Sequence, residues 1–181
     1  QPKERGQIRA GIRYVMGAPE VKLALLMTGV VSTMAFNYQV VMPLFAERVF
    51  DGDASTYGLL LSATSIGSLA GSLVSASREA ITMRFVAAAS FAFGVAMTVA
   101  AMAPTLPVAL VLVVPMGASG AVFVTSANAV LQTQTPGEMR GRVMALYSVV
   151  FLGSTPIGAP IIGAISEAMG ARAGLVAGGL T

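Results

Sequence analysis

The chain has 181 residues, 55% of them hydrophobic and only 10% charged, with no cysteine and no histidine, and a mean hydropathy of +0.79. Soluble domains carry about a quarter of their residues as Asp, Glu, Lys and Arg. The composition therefore excludes a water-soluble globule, a disordered chain and a nucleic-acid-coating protein, and points to lipid. The lack of thiols and imidazoles removes thiolate nucleophiles, imidazole bases and most transition-metal sites. No cofactor, metal site or catalytic set is expected, and the chain is read as a non-enzyme.

In chain order, residues 1–22 form a polar lead-in. Ile8, Ile12 and Val15–Met16 recur at roughly helical spacing with Arg9 and Arg13 between them, so an interfacial helix ending at Gly17-Ala18-Pro19 fits, as does a plain linker. The lead-in has no signal-peptide architecture, and a polar start without an initiator Met suggests a piece of something longer. Uncharged intervals then run over residues 23–46, 54–77, 85–137 and 143–166, three of 24 residues and one of 53. A helix needs about 20 apolar residues to cross roughly 30 Å of hydrocarbon, so each short interval holds one span and the long one holds two. The long interval divides at Pro104-Thr105-Leu106-Pro107, where two prolines three apart end a helix.

The expectation is an all-α polytopic membrane protein with a transmembrane bundle over 23–181. Its complete spans lie at about 23–46, 57–77, 85–103, 107–132 and 143–166. The run 173–181 is too short to cross and is read as the first part of a sixth span. Lys3, Arg5, Arg9, Arg13, Lys22, Arg78, Arg84, Arg140 and Arg142 fall on one side of such a bundle, and only Arg48 and Arg172 on the other. By the positive-inside rule the first side, with the amino terminus, is cytoplasmic. The net charge of +3 is thus a topology signal, with a weak attraction to anionic headgroups, and no nucleic-acid partner is expected.

Small residues supply the first group of candidates. Gly67 and Gly71 form a GxxxG step that thins one side of the second span for close helix contact. The fifth span carries Gly153, Gly158 and Gly163 with Pro156 and Pro160 between them. Two prolines open backbone bonds in lipid, which fits either a static kinked packing helix or a bending helix beside a translocation path. The second group is polar. Asn37, Tyr38 and Gln39 lie in the outer half of span one. Thr125, Ser126 and Asn128 precede Gln132 and Gln134 in span four. Amides in hydrocarbon must face the bundle interior or water, where they line a cavity or bond neighbouring helices. Tyr38, Tyr147 and Phe36 are able to stack on an aromatic molecule or simply pack.

No Asp, Glu, Lys or Arg sits in the middle of a complete span, so a coupling carboxylate for proton-driven transport would lie elsewhere. Asp51-Gly-Asp53 lacks the rest of a calcium loop and reads as a solvated turn. In the turn Thr135–Val143, Glu138, Arg140 and Arg142 are placed for charge pairing near helix ends or for positive-inside anchoring.

Three stretches carry a family resemblance: Pro19-Glu-Val-Lys-Leu-Ala-Leu-Leu26, Tyr57-Gly-Leu-Leu-Leu-Ser-Ala-Thr-Ser-Ile-Gly-Ser-Leu-Ala-Gly71 and Pro136-Gly-Glu-Met-Arg-Gly-Arg-Val143. Over essentially its whole length the chain resembles the carboxy-terminal half of a major facilitator superfamily transporter, in the bacterial efflux branch with enterobactin-type siderophore exporters. The long Asp-Arg-x-Gly-Arg-Arg signature of the first half is absent after Gly71, which favours the second half. Residues 153–163 only loosely echo the Gly/Pro antiporter motif and do not prove antiport.

The resemblance implies spans seven to eleven and part of twelve, in a bacterial inner membrane, working with a missing amino-terminal six-helix half. It implies alternating access that exports a small amphipathic cargo, a siderophore or a drug-like molecule, with Asn37, Tyr38, Gln39 and Asn128 on the substrate path. It also implies a cytoplasmic charge network including Arg140 and Arg142. The alternatives are a non-transporting membrane scaffold or assembly subunit, and an uptake permease of the same superfamily.

Overall fold

The computed structural model describes residues 4–78 and 80–181; Lys3, counted above among the basic residues of the lead-in, lies outside them. Nine helices and no strand occur among the described residues: α1 (Glu4–Gly17), α2 (Pro19–Met34), α3 (Tyr38–Phe50), α4 (Ala54–Ala76), α5 (Met83–Ala101), α6 (Leu106–Thr133), α7 (Gly137–Gly153), α8 (Thr155–Met169) and α9 (Ala171–Gly179). Five stretches are long and apolar enough to cross a membrane: Pro19–Phe50, Ala54–Ala76, Met83–Ala101, Leu106–Thr133 and Gly137–Met169. The protein is an all-α polytopic membrane protein.

Lipid offers no hydrogen bonds, so polar groups in a span must be satisfied locally. The hydroxyls of Ser62, Thr64, Ser65 and Ser72 accordingly donate to carbonyls one turn back, each at 2.8 Å. Helix starts are closed the same way. The Asp53 carboxylate accepts from the Ser55 amide at 3.0 Å and the Thr56 amide at 3.1 Å, filling donors that the first turn of α4 leaves open. These two bonds and one from the Ser55 hydroxyl hold the Asp53 carboxyl below its ordinary range, the hydroxyl bond contributing most.

Helix α6 is the centre of the bundle, flanked by α4 and α5. Apolar burial does not drive helices together in lipid, so close van der Waals packing must do so. A methyl group on Gly67 would fall on the Val114 carbonyl, one on Gly71 on the Ala118 carbonyl, and one on Gly117 on the Thr64 carbonyl. Glycine on both helices lets α4 and α6 touch backbone to backbone. Large side chains fill the space elsewhere: Phe45, Phe93, Phe123, Met97 and Met116 are all buried. Ile66, Leu69, Phe91 and Val111 point outward, each at least 65% exposed, as a lipid-facing surface allows.

Two of the five stretches are broken in the middle. In the last, Pro156 cannot donate to the Leu152 carbonyl, and α7 ends at Gly153. The Ser154 hydroxyl donates back to the Phe151 carbonyl at 2.6 Å, and the Ser154 carbonyl starts α8 by accepting from Gly158 at 2.8 Å. The break in the first stretch has a different cause, since no proline lies between Pro19 and Pro43. Over Ala35–Asn37 the chain leaves the helix, and the Phe36 amide bonds five residues back to the Val31 carbonyl at 3.0 Å. The Asn37 amide takes the carbonyls this frees, Thr33 at 2.7 Å and Ser32 at 3.2 Å. The two breaks meet, because a methyl group on Gly158 would overlap both the Thr33 carbonyl oxygen and the Asn37 amide nitrogen.

Two further packings complete the fold. Helix α9 lies against α5, α8 and α3, and α1 lies against α7 and the start of α2.

Candidate functional site

The break between α2 and α3 turns Phe36 out of helical register and into an aromatic cluster. Its ring centroid lies 5.1 Å from Phe93 of α5, 5.6 Å from Phe151 of α7 and 6.5 Å from Phe123 of α6. Tyr38 meets Phe93 edge-on at 6.4 Å, and Tyr147 stacks on Phe151 at 5.8 Å. Rings from four helices and the break thus converge at one point. Tilted and edge-on pairs of this kind are each worth about 0.5–1.5 kcal/mol beyond their buried area.

Beside this cluster lies a cavity of about 360 Å³. Phe36, Tyr38, Phe93 and Phe151 supply its aromatic wall, Gly117, Gly120 and Ala121 of α6 its floor, and Gln39, Ser68, Ser72 and Thr125 its polar atoms. None of its lining residues is charged. The Ser68 hydroxyl donates to Thr64 and Gly117 carbonyls at 3.0 and 3.2 Å, Ser72 to Ser68 at 2.8 Å, and Thr125 to Ala121 at 2.8 Å. With their protons committed to backbone, these oxygens keep lone pairs to offer. The exposed Gln39 amide supplies both a donor and an acceptor. The arrangement suits an uncharged or weakly polar molecule with aromatic surface and O–H or N–H donors. Its described lining holds no carboxylate, amine or guanidinium.

The structure brings Tyr38 and Gln39 to this cavity and separates Asn37 and Asn128 from it. Asn37 is 3% exposed, with its amide committed to the α2 carbonyls. Half-buried Asn128 accepts from the Gln132 amide and adjoins the Tyr147 hydroxyl, one turn beyond Thr125. Glu138 and Arg140 are exposed at the start of α7. Arg142 is half-buried there and reaches the Met139 sulfur at 3.2 Å. Gly67 and Gly71 sit in the α4–α6 contact and Gly158 in the contact between the breaks, whereas Gly153 faces open space and Pro156 and Pro160 are exposed.

Ser68, Ser72, Phe93 and Phe151 are cavity residues that the sequence reading does not single out. The serines follow Gly67 and Gly71 directly and repeat at the same spacing of four, so a stripe beside the packing face was legible. Phe93 and Phe151 carry no such signal.

Residues 2–181 match the family described as transmembrane secretion effector. The chain is 31% identical over 170 residues to the multidrug efflux pump Tap of Mycolicibacterium fortuitum, covering 92% of this chain and 41% of that protein. It is 28% identical over 176 residues to the enterobactin exporter EntS of Escherichia coli O139:H28 (strain E24377A / ETEC), covering 93% of this chain and 41% of that protein. The chain therefore spans about two fifths of the length of these relatives. No solved structure matches it significantly.

Proposed function

We propose a function from the premise that this chain belongs to the transmembrane secretion effector family, within the major facilitator superfamily: it is the carboxy-terminal half of a secondary transporter that exports a small amphipathic molecule across a bacterial inner membrane. The cavity behind Phe36 is this half's share of a central cargo site, and six further helices supply the other wall. Rocking of the two halves exposes that site to each side of the membrane in turn. The amino-terminal end of the segment, with α1 and the α6–α7 turn, lies in the cytoplasm. Glu138, Arg140 and Arg142 steady one state of the cycle from that side.

One observation carries this reading: Gln39, Ser68, Ser72 and Thr125, from three different helices, converge on one cavity, Ser72 and Thr125 bonded only to carbonyls of their own helices and Ser68 bonded also to the Gly117 carbonyl of α6. A scaffold built for packing has no use for such convergence. Both named relatives are exporters, one of drugs and one of enterobactin, and an aromatic wall with acceptor oxygens suits cargo of either kind. Asn37 and Asn128, paired within their own neighbourhoods, act on the path through position and not through contact with cargo.

The test is export by the full-length protein at matched membrane abundance, with an uncharged catechol-bearing siderophore and an uncharged aromatic drug as cargoes. Gln39→Ala removes the only side-chain amide in the cavity, and Phe36→Leu removes the central ring while keeping an apolar side chain. Each is expected to lower export of at least one cargo by about tenfold, matching a loss of roughly 1.4 kcal/mol from one ring or amide contact. Unchanged rates for both variants would overturn the assignment of this cavity.

A further inference from the structure

Among its described side chains, residues 9–17, helix α1 is held to the bundle along one side. Val15 is buried, the Tyr14 hydroxyl donates to the Gln134 carbonyl at 3.3 Å, and Gly11 lies so close to α7 that a methyl group there would stand 3.3 Å from the Arg142 Cβ. The opposite side is open. Ile12 is 48% and Met16 63% exposed, and Arg9 and Arg13 are exposed beside them. Residues 9, 13 and 12, 16 are two i, i+4 pairs, so the guanidiniums form one line along the helix and the apolar side chains form the adjacent line. No acidic residue occurs between Arg9 and Met16.

We propose that this face of α1 is a docking surface for anionic phospholipid headgroups. Arg9 and Arg13 hold the phosphates, while Ile12 and Met16 enter the boundary between headgroups and acyl chains. A line of cations beside a line of apolar groups matches the two layers a helix meets when it lies in a membrane interface. The level is also right: α2 starts two residues after α1 ends, and its Leu23 and Leu26 are already 50% and 56% exposed, facing where lipid would be. The tie of α1 to α7 and to the carbonyl at the end of α6 lets a bound lipid bias the position of the last broken span. The proposal rests on the membrane placement given above.

The chain has no cysteine, so Met16→Cys or Ile12→Cys gives this half one labelling site, and any cysteines in the rest of the full-length protein are replaced by serine. A polarity-sensitive fluorophore at either position, in full-length protein in nanodiscs of phosphatidylcholine with increasing phosphatidylglycerol, reads lipid contact. Collisional quenching by a lipid spin-labelled just below its headgroup reads depth. The expected result is a blue shift and quenching that rise with phosphatidylglycerol. The apparent affinity for phosphatidylglycerol should fall about fivefold in the Arg9→Gln variant and roughly twenty-five-fold when Arg13→Gln is added. Absence of quenching at both positions would mean that another part of the protein covers the face. Equal quenching in pure phosphatidylcholine would remove the anionic requirement. Either result overturns the proposal. Labelling by an impermeant thiol reagent in inverted vesicles against intact cells checks the cytoplasmic placement separately, so failure of the topology and failure of lipid docking are distinguishable.

Discussion

Alanine at position 158 should cost far more than alanine at position 153, although the two glycines belong to one broken span. At 158 the added methyl group overlaps the Thr33 carbonyl oxygen and the Asn37 amide nitrogen. Neither can step aside easily, because the carbonyl is backbone and the amide is committed to it at 2.7 Å. Helix α8 must back away from α2 or the Asn37 bonds must break. Overpacking of this kind costs about 1–3 kcal/mol, and a lost interhelical or capping bond in a membrane adds about 0.6–1.7 kcal/mol. Together the Gly158→Ala variant should lose roughly 2–4 kcal/mol. At 153 the methyl group meets nothing within 4 Å, and alanine favours helix over glycine by up to about 1 kcal/mol. The Gly153→Ala variant should therefore be unchanged or slightly more stable. Reversible unfolding of the full-length protein by SDS in mixed micelles, followed by circular dichroism, measures both. Equal effects, or a loss below about 0.5 kcal/mol for Gly158→Ala, would refute the interlocking of the two breaks.

Other expectations follow from single sites. Gly67→Ala and Gly71→Ala should each destabilise the α4–α6 pair by about 1–3 kcal/mol, and together by less than the sum, since the first separation of the helices relieves the second clash; SDS unfolding of the single and double variants checks this. The Thr135 hydroxyl is buried with no partner among the described residues, so Thr135→Val should be neutral or stabilising by about 1 kcal/mol in the same assay, and a clear loss would mean the hydroxyl has a partner in the full-length protein. Asp53 titrates below its ordinary value because its carboxylate caps α4. A lowered folded-state pKa means that this stabilisation is present above the ordinary aspartate range and lost as pH falls through the folded value. Melting temperature should therefore fall more between pH 5 and pH 3 in the parent than in Asp53→Asn, whose amide still caps the helix but does not titrate there.

The spans were legible because lipid makes strong demands on composition: long uncharged intervals have few uses other than crossing a bilayer. The division at Pro104 and Pro107 was legible for a similar reason, since proline has a local effect that sequence displays. The break at Ala35–Asn37 was not. It arises from a contest between backbone amides and one side-chain amide for the same carbonyls, and the absence of a side chain at Gly158 leaves room for the Asn37 amide beside the Thr33 carbonyl. Polar residues in the spans were visible as a set, but their destinations were not, because an asparagine bonded to its own helix and one facing a cavity look alike in one dimension. Gln39 and Tyr38, two and one positions after Asn37, reach the cavity from the first turn of α3, just past the break.

This dependence changes how substitutions at the site must be interpreted. Asn37 holds two carbonyls at the end of α2, and the shift of register at the break sets where Phe36, Tyr38 and Gln39 stand. Removing the Asn37 amide strands the Ser32 and Thr33 carbonyls, and the cheapest repair is to let α2 continue into α3 as one helix. Such a repair rotates Gln39 by about 100° for each residue gained or lost from the break, which takes it off the cavity wall. Lost export in Asn37→Ala would then report a re-aimed wall and say nothing about cargo contact. Gln39→Ala leaves the backbone bonds intact and removes only the side chain in the cavity, so it alone separates contact from position. If the Asn37 variant fails and the Gln39 variant works normally, the break matters for the path of motion and the cavity is not where cargo binds. If both fail but only the Gln39 variant keeps parental stability in SDS, the amide meets cargo and the break exists to present it.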